Sequence, residues 1–112
     1  MVSSQMLKGI LEGCVLKVVR THKTYGYEIV ERLKDAGFSN MTEGTVYPML
    51  SRMEKNELLE TMMMDSPKGP KRKYYFLSEK GKKELKAFEA DWKDLETYVN
   101  GILNPKKKED EA

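Results

Sequence analysis

The segment from Thr42 to Lys55 constrains this chain more than any other, because its apolar residues follow a single period. Val46, Met49, Leu50 and Met53 stand at i, i+3, i+4 and i+7, which lays one stripe along a helix and commits that face to a core. The opposite face carries Thr45, Tyr47, Ser51, Arg52 and Lys55, a set of hydroxyls, one aromatic ring and cations. Such a face suits a groove lined with phosphates and base edges. Thr42 stands at the N-cap position, where its side-chain oxygen can accept a bond from a first-turn amide. The helix N-terminus then points outward, and its partial positive charge favours a phosphate. Pro48 cannot donate to the Gly44 carbonyl and its ring crowds that group, so an irregular first turn is expected, eased by Gly44.

The 112 residues make one domain, able to bury roughly two-thirds of the surface its unfolded form exposes. With 34% charged and 39% hydrophobic residues the composition is that of a soluble globular chain, and no run approaches the ~18 apolar residues of a membrane span. No basic flank leads into an apolar export segment, so a cytoplasmic location without a membrane partner is the expectation. Cys14 has no second cysteine to pair with and falls on an apolar helix face, which reads as a buried thiol rather than a redox sensor. Asn40-Met41-Thr42 matches a glycosylation acceptor by chance if the chain is not exported. A net charge of +2 does not argue for nucleic acid, so the case rests on where the cations lie.

Upstream, Leu7, Ile10, Leu11, Cys14, Val15 and Val18 predict a first helix over Met6 to Val19. Thr24 is placed to cap a second helix from about Tyr25 to Ala36, with Ile29, Val30, Leu33 and Ala36 inward and Gly37 ending it. The short link Phe38 to Met41 joins this helix to the Thr42 helix, a helix-turn-helix pattern that any small helical bundle can also produce. Two strand-like runs follow, Leu58 to Asp65 and Lys71 to Leu77, joined by Ser66-Pro67-Lys68-Gly69-Pro70 as a hairpin with a loose tip. Lys68, Lys71, Arg72 and Lys73 gather at that tip without an acid among them. A basic hairpin after a helix-turn-helix is a winged helix, whose wing reaches a backbone or minor groove. The plainer use of these cations is to solubilise a turn, although a solubilising surface normally mixes signs. Met62, Met63 and Met64 point to alternate faces of a strand and cannot converge on a soft metal, so they read as core and surface filling.

Ser78 is a plausible N-cap for a long terminal helix with Glu79 in its first turn. Along it Leu85, Phe88, Trp92, Leu95, Val99 and Ile102 form a narrow heptad seam, more fitting for a partner helix than for packing on the same chain. The simplest partner is the same helix of a second subunit. Gly101 and Pro105 end the helix, and the charged run Lys106 to Glu111 reads as a frayed tail. The expected class is therefore mainly α with a small β-hairpin (α+β). Its expected organisation is a winged helix-turn-helix DNA-binding unit over 1–77, a C-terminal dimerisation helix over 78–104 and a flexible charged tail over 105–112.

An enzyme is not expected. His22 is the sole histidine and lies in a polar connection with no cysteine, serine or acid at diagnostic spacing, so local motifs assemble neither a triad nor a zinc site. No cofactor or metal site is expected. A different class of function remains open, a winged-helix module that meets an acidic protein surface and binds no specific DNA.

Three blocks then carry a resemblance. Tyr25-Gly26-Tyr27-Glu28-Ile29, the run Glu43 to Lys55 beginning Glu43-Gly44-Thr45-Val46-Tyr47-Pro48, and Gly69-Pro70-Lys71-Arg72-Lys73-Tyr74-Tyr75-Phe76-Leu77-Ser78-Glu79-Lys80-Gly81 resemble the signature blocks of PadR-type transcriptional regulators. The likeness runs in order over about residues 5 to 103. It implies a dimeric winged-helix repressor of double-stranded DNA whose C-terminal helix builds the homodimer. The single short C-terminal helix is similar to the compact subgroup that includes the lactococcal multidrug-binding regulator, in which a tryptophan of each subunit flanks a flat apolar ligand channel. By that likeness Phe88 and Trp92 fall near the place where a small aromatic or apolar effector would sit, with packing as the other use of Trp92. Leu7, Leu11, Leu85, Phe88, Trp92, Leu95, Val99 and Ile102 form the expected dimer interface or effector site. Thr45, Tyr47, Ser51 and Arg52 are expected to read bases or fix register, Tyr25, Lys55, Lys71, Arg72 and Lys73 to contact phosphates, and the N-cap Thr42 to belong to the same DNA-binding surface. Two-fold pairing would set half-sites about one helical turn, roughly 34 Å, apart on a pseudo-palindromic operator.

Overall fold

In the computed structural model, which describes residues 1–105, the stripe of the central helix is sealed from water. Val46, Leu50 and Met53 are fully buried and Met49 nearly so. Each such side chain contributes about 1.5–3 kcal/mol by leaving water. The element order is α1 (Ser4–Leu7), α2 (Leu11–Thr21), β1 (Thr24–Tyr25), α3 (Gly26–Asp35), α4 (Glu43–Lys55), β2 (Leu59–Met64), β3 (Arg72–Leu77) and α5 (Glu79–Leu103). The strands form one antiparallel sheet in the order β1-β3-β2. This is the expected α+β winged helix, with the hairpin β2–β3 as the wing. Val15, Leu16, Val19, Ile29, Val30 and Leu33 meet the α4 stripe, Leu59 and Leu77 in the core.

Several expectations need correction. The first helix is broken, because Gly9 takes a positive φ of 84° and separates α1 from α2. The buried face of α2 is then centred on Val15, Leu16 and Val19, one position round from the expected set. Thr24 does not cap a helix; it is fully buried in β1, opposite Tyr75, while Tyr25 takes the N-cap position of α3 without a side-chain capping bond. Ala36 is exposed beyond the end of α3. There Gly37, at φ 124°, and Phe38 return their amides to the Lys34 and Leu33 carbonyls, the six-residue closure that favours glycine. Helix α4 passes through Pro48 without interruption, because the bond that proline forgoes belongs to exposed Gly44, whose carbonyl water can serve. Thr42 caps it as expected, accepting from the Thr45 amide at 3.3 Å.

The α4 C-terminus closes by the same geometry as that of α3. Glu57 adopts φ 63°, and the Glu57 and Leu58 amides return to the Glu54 and Met53 carbonyls. Ser78 then links this turn to α5: its hydroxyl accepts from the Gly81 amide at 2.9 Å and lies 2.6 Å from the Glu57 carbonyl oxygen as donor. At the wing tip the Ser66 hydroxyl reaches the Lys68 and Pro70 carbonyls at 2.8 and 2.9 Å and can donate to either. Met62 and Met63 are exposed and Met64 partly so, which makes the methionine run surface rather than core.

Helix α5 runs through Gly101 and divides the expected seam in two. Leu85 is buried in the subunit's own core, as is Leu7, and Leu11 packs on it. Phe88 is half-buried with its ring against Gly13 of α2, and Lys17 reaches Glu89 at 2.9 Å beside it. From Trp92 onward the seam faces water, and the molecule is drawn out to 65 Å against 29 and 21 Å. The charged tail lies outside the described residues beyond Pro105. Cys14 is half-buried, and burial pushes its thiol above the usual range.

A Cβ on Gly13 would run into the Phe88 ring. Gly13→Ala is therefore expected to lower the unfolding free energy by about 1–3 kcal/mol, read as a lower urea midpoint with unchanged slope. Shortening Phe88 to Leu in the same chain should recover part of the loss. A wild-type midpoint in Gly13→Ala would contradict this packing.

Candidate nucleic-acid interface

With its stripe buried, α4 must turn Thr42, Thr45, Tyr47, Ser51, Arg52 and Lys55 outward, and all of them are exposed. The wing brings a second set. Lys71 and Lys73 are exposed and Arg72 is half-buried, its guanidinium carbon 4.4 Å from the centre of the Tyr25 ring. Tyr25 meets Tyr74 edge-on, with centroids 5.5 Å apart, and the Lys23 ammonium lies 5.6 Å from the Tyr74 ring. A planar cation resting on an aromatic face keeps its N–H edge free for an anion, so this stack presents Arg72 without neutralising it.

The two sets share a cleft. A hollow of about 550 Å³ is lined by Tyr47 of α4, by Tyr25, Gly26 and Tyr27 at the start of α3, and by Pro70, Arg72, Lys73 and Tyr75 of the wing. Gly26 permits the approach: a Cβ there would stand 2.8 Å from Cε1 of Tyr47. Burial, with a hydrogen bond to the Glu43 carboxylate next, raises the Tyr47 hydroxyl above its usual range. Burial likewise raises Tyr75.

Two nominated cations are not free. Arg52 reaches Glu12 of α2, with Nη2 at 2.9 Å and Nε at 3.3 Å from the same oxygen. Lys73 lies 3.1 Å from Oε1 of Glu54, whose hydrogen bond is the main reason its ammonium is held above the ordinary lysine value. Sequence spacing could not reveal these partners, because each pair closes across elements far apart in the chain. The same holds for the places of Lys23, Gly26, Tyr27 and Tyr75, none of which was named as a contact residue from sequence, although the last three stand in the blocks that carry the resemblance.

The remaining candidates lie elsewhere. Trp92, Leu95, Val99 and Ile102 occupy the projecting part of α5, whereas Leu7, Leu11 and Phe88 line a cavity of about 520 Å³ below α4 together with Met49, Glu12 and Arg52, and Trp92 takes no part in it. Among the described residues no three His, Cys, Asp or Glu side chains are grouped to hold a metal ion, and no helix is long and apolar enough to cross a membrane. His22 is exposed at the end of α2, against the Thr21 hydroxyl.

Known proteins share this fold. The chain is similar to an uncharacterised protein of Lysinibacillus sphaericus, 29% identical over 102 residues that span 89% of this chain and 94% of that one. Among solved structures, a PadR-like transcriptional regulator from Bacillus cereus superposes with a TM-score of 0.87 at 44% identity, covering 92% of this chain and 100% of that chain. A Streptococcus transcriptional regulator gives 0.85, also at 44% identity, over 91% of this chain and 100% of that one. The model of the PadR-like transcriptional regulator family matches residues 15–87, and the chain belongs to that family.

Proposed function

We propose that this regulator acts as a homodimeric repressor on a pseudo-palindromic operator, each subunit laying α4 in a major groove while its wing grips adjacent phosphates. The observation that carries this reading is the cleft that Tyr47 of α4 shares with Arg72 and Lys73 of the wing. A surface built that way offers base edges and backbone one continuous set of donors. Thr45, Tyr47, Ser51 and Arg52 read bases or fix register, Thr42 holds the first turn, and Tyr25, Lys55, Lys71, Arg72 and Lys73 meet phosphates.

The second subunit docks along α5. Trp92, Leu95, Val99 and Ile102 are 44%, 46%, 43% and 80% exposed, an apolar seam that a lone chain leaves in water. Pairing two such seams buries them and fixes the distance between the reading heads. An apolar or aromatic effector near Trp92 would release the operator by binding one relative angle of the heads better than another, since a ligand shifts an equilibrium only through unequal affinity.

Fluorescence anisotropy with duplex from the gene's own upstream region, set against a scrambled duplex, tests the assignment. Specific binding is expected to exceed scrambled by at least ~10³, and comparable feeble affinities would favour a protein-binding module instead. Arg72→Ala should weaken binding to both duplexes alike and flatten the salt slope by about one unit. An unchanged slope would remove Arg72 from the phosphate contacts.

A further inference from the structure

Five cations stand on the proposed interface, and they fall into two kinds. Lys55, Lys71 and Arg72 make no ion pair with any described carboxylate, whereas Arg52 and Lys73 each hold one. We propose that Glu12 and Glu54 stand in for DNA phosphate, holding Arg52 and Lys73 back from unmatched duplex and yielding them only when an operator seats α4 fully. This inference rests on the DNA-binding reading above and deepens it, making the two acids determinants of specificity.

The geometry fits an exchangeable partner. Glu12 presents one oxygen to two nitrogens of Arg52, much as a phosphate oxygen would. Glu54 lies on α4 itself, with Oε1 on Lys73 and Oε2 accepting from the Thr61 hydroxyl at 3.2 Å. Neither pair is deep: side-chain exposures are 56% and 40% for Arg52 and Glu12, and 47% and 36% for Lys73 and Glu54. Pairs this exposed are weak, so a phosphate at short range can displace the carboxylate.

A loosely held random duplex offers its phosphates at longer range, where a cation already neutralised adds little to counterion release. The three unpaired cations then supply general attraction. The two tethered ones add affinity only in the closely fitted complex, and each acid thereby widens the gap between operator and random sequence. A purely structural role for Glu54, bracing α4 against both wing strands, predicts differently. Glutamine keeps the oxygen that Thr61 needs and a second polar atom near Lys73, so a brace would survive Glu54→Gln while a charge gate would not.

The test is a salt series of anisotropy titrations with the full chain, using a random-sequence duplex and the upstream duplex. Glu54→Gln and Glu12→Gln, each independently, should tighten the random duplex about fivefold near 0.1 M salt and steepen its slope by about 0.9, the share of one added phosphate contact. The upstream duplex should gain less, so the ratio falls. Adding Lys73→Gln to Glu54→Gln should abolish the gain. Random-duplex affinity and slope that stay at the wild-type value, or fall, in both single variants would overturn the gate. If the wild type itself fails to separate upstream from random duplex, the DNA-binding assignment falls and takes the gate with it. A wild type that discriminates beside unaltered variants sinks the gate alone.

Discussion

The burial of Val46, Met49, Leu50 and Met53 is the contact on which the remaining architecture depends. A helix with one sealed face has no rotational freedom about its axis, so its polar residues are aimed as firmly as its apolar ones are packed. Thr42 fixes where α4 begins, and the return of the Glu57 and Leu58 amides to the Glu54 and Met53 carbonyls fixes where it ends. Ser78 fastens that end to α5 in turn, through the Gly81 amide and the Glu57 carbonyl. The orientation of the outer face is thus set by the core, while the tethers of its ends pass that orientation to the wing and to the terminal helix.

Helix α5 changes character along its length. Its first turns belong to the subunit, where Leu85 enters the core and the Phe88 ring rests on Gly13. Its later turns, from Trp92 to Ile102, leave the body of the molecule with their apolar side chains uncovered. In the proposed dimer, a change in the angle of this helix would pass through α2, on which it packs, to the core that holds α4. That is the mechanical basis on which pairing, or a ligand at the paired helices, would govern spacing between two heads.

Much of this was legible in the residues. The i, i+3, i+4, i+7 stripe and the preceding Thr42 located α4 to within a residue, and two short aromatic or apolar runs around Pro-Lys-Gly-Pro located the wing. What escaped has identifiable causes. Strand β1 is two residues long, too short to show alternation, and exists because the β3 edge pairs with Thr24 and Tyr25. Gly9 breaks the first helix through its own backbone while the apolar spacing around it runs on undisturbed. The heptad seam was visible as a period, yet a period cannot tell which turns meet the same chain and which meet another. Within the candidate interface the exposed side chains of α4 and the basic wing could be named, whereas the carboxylates of Glu12 and Glu54 that answer Arg52 and Lys73 depend on tertiary placement alone.

The near-neutral total charge conceals this organisation, because a sum does not record which cations hold an ion pair and which do not. Arg72 keeps its donors free by resting on Tyr25, and Arg52 and Lys73 are screened by their carboxylates. Protection of guanine N7 from dimethyl sulfate on the bound upstream duplex tests the central claim most directly, since N7 lies in the major groove. Two protected clusters centred about one helical turn apart, roughly 34 Å, are predicted for two α4 helices on a shared face of the duplex. A single cluster, or a bound duplex whose guanines all remain reactive, would contradict it.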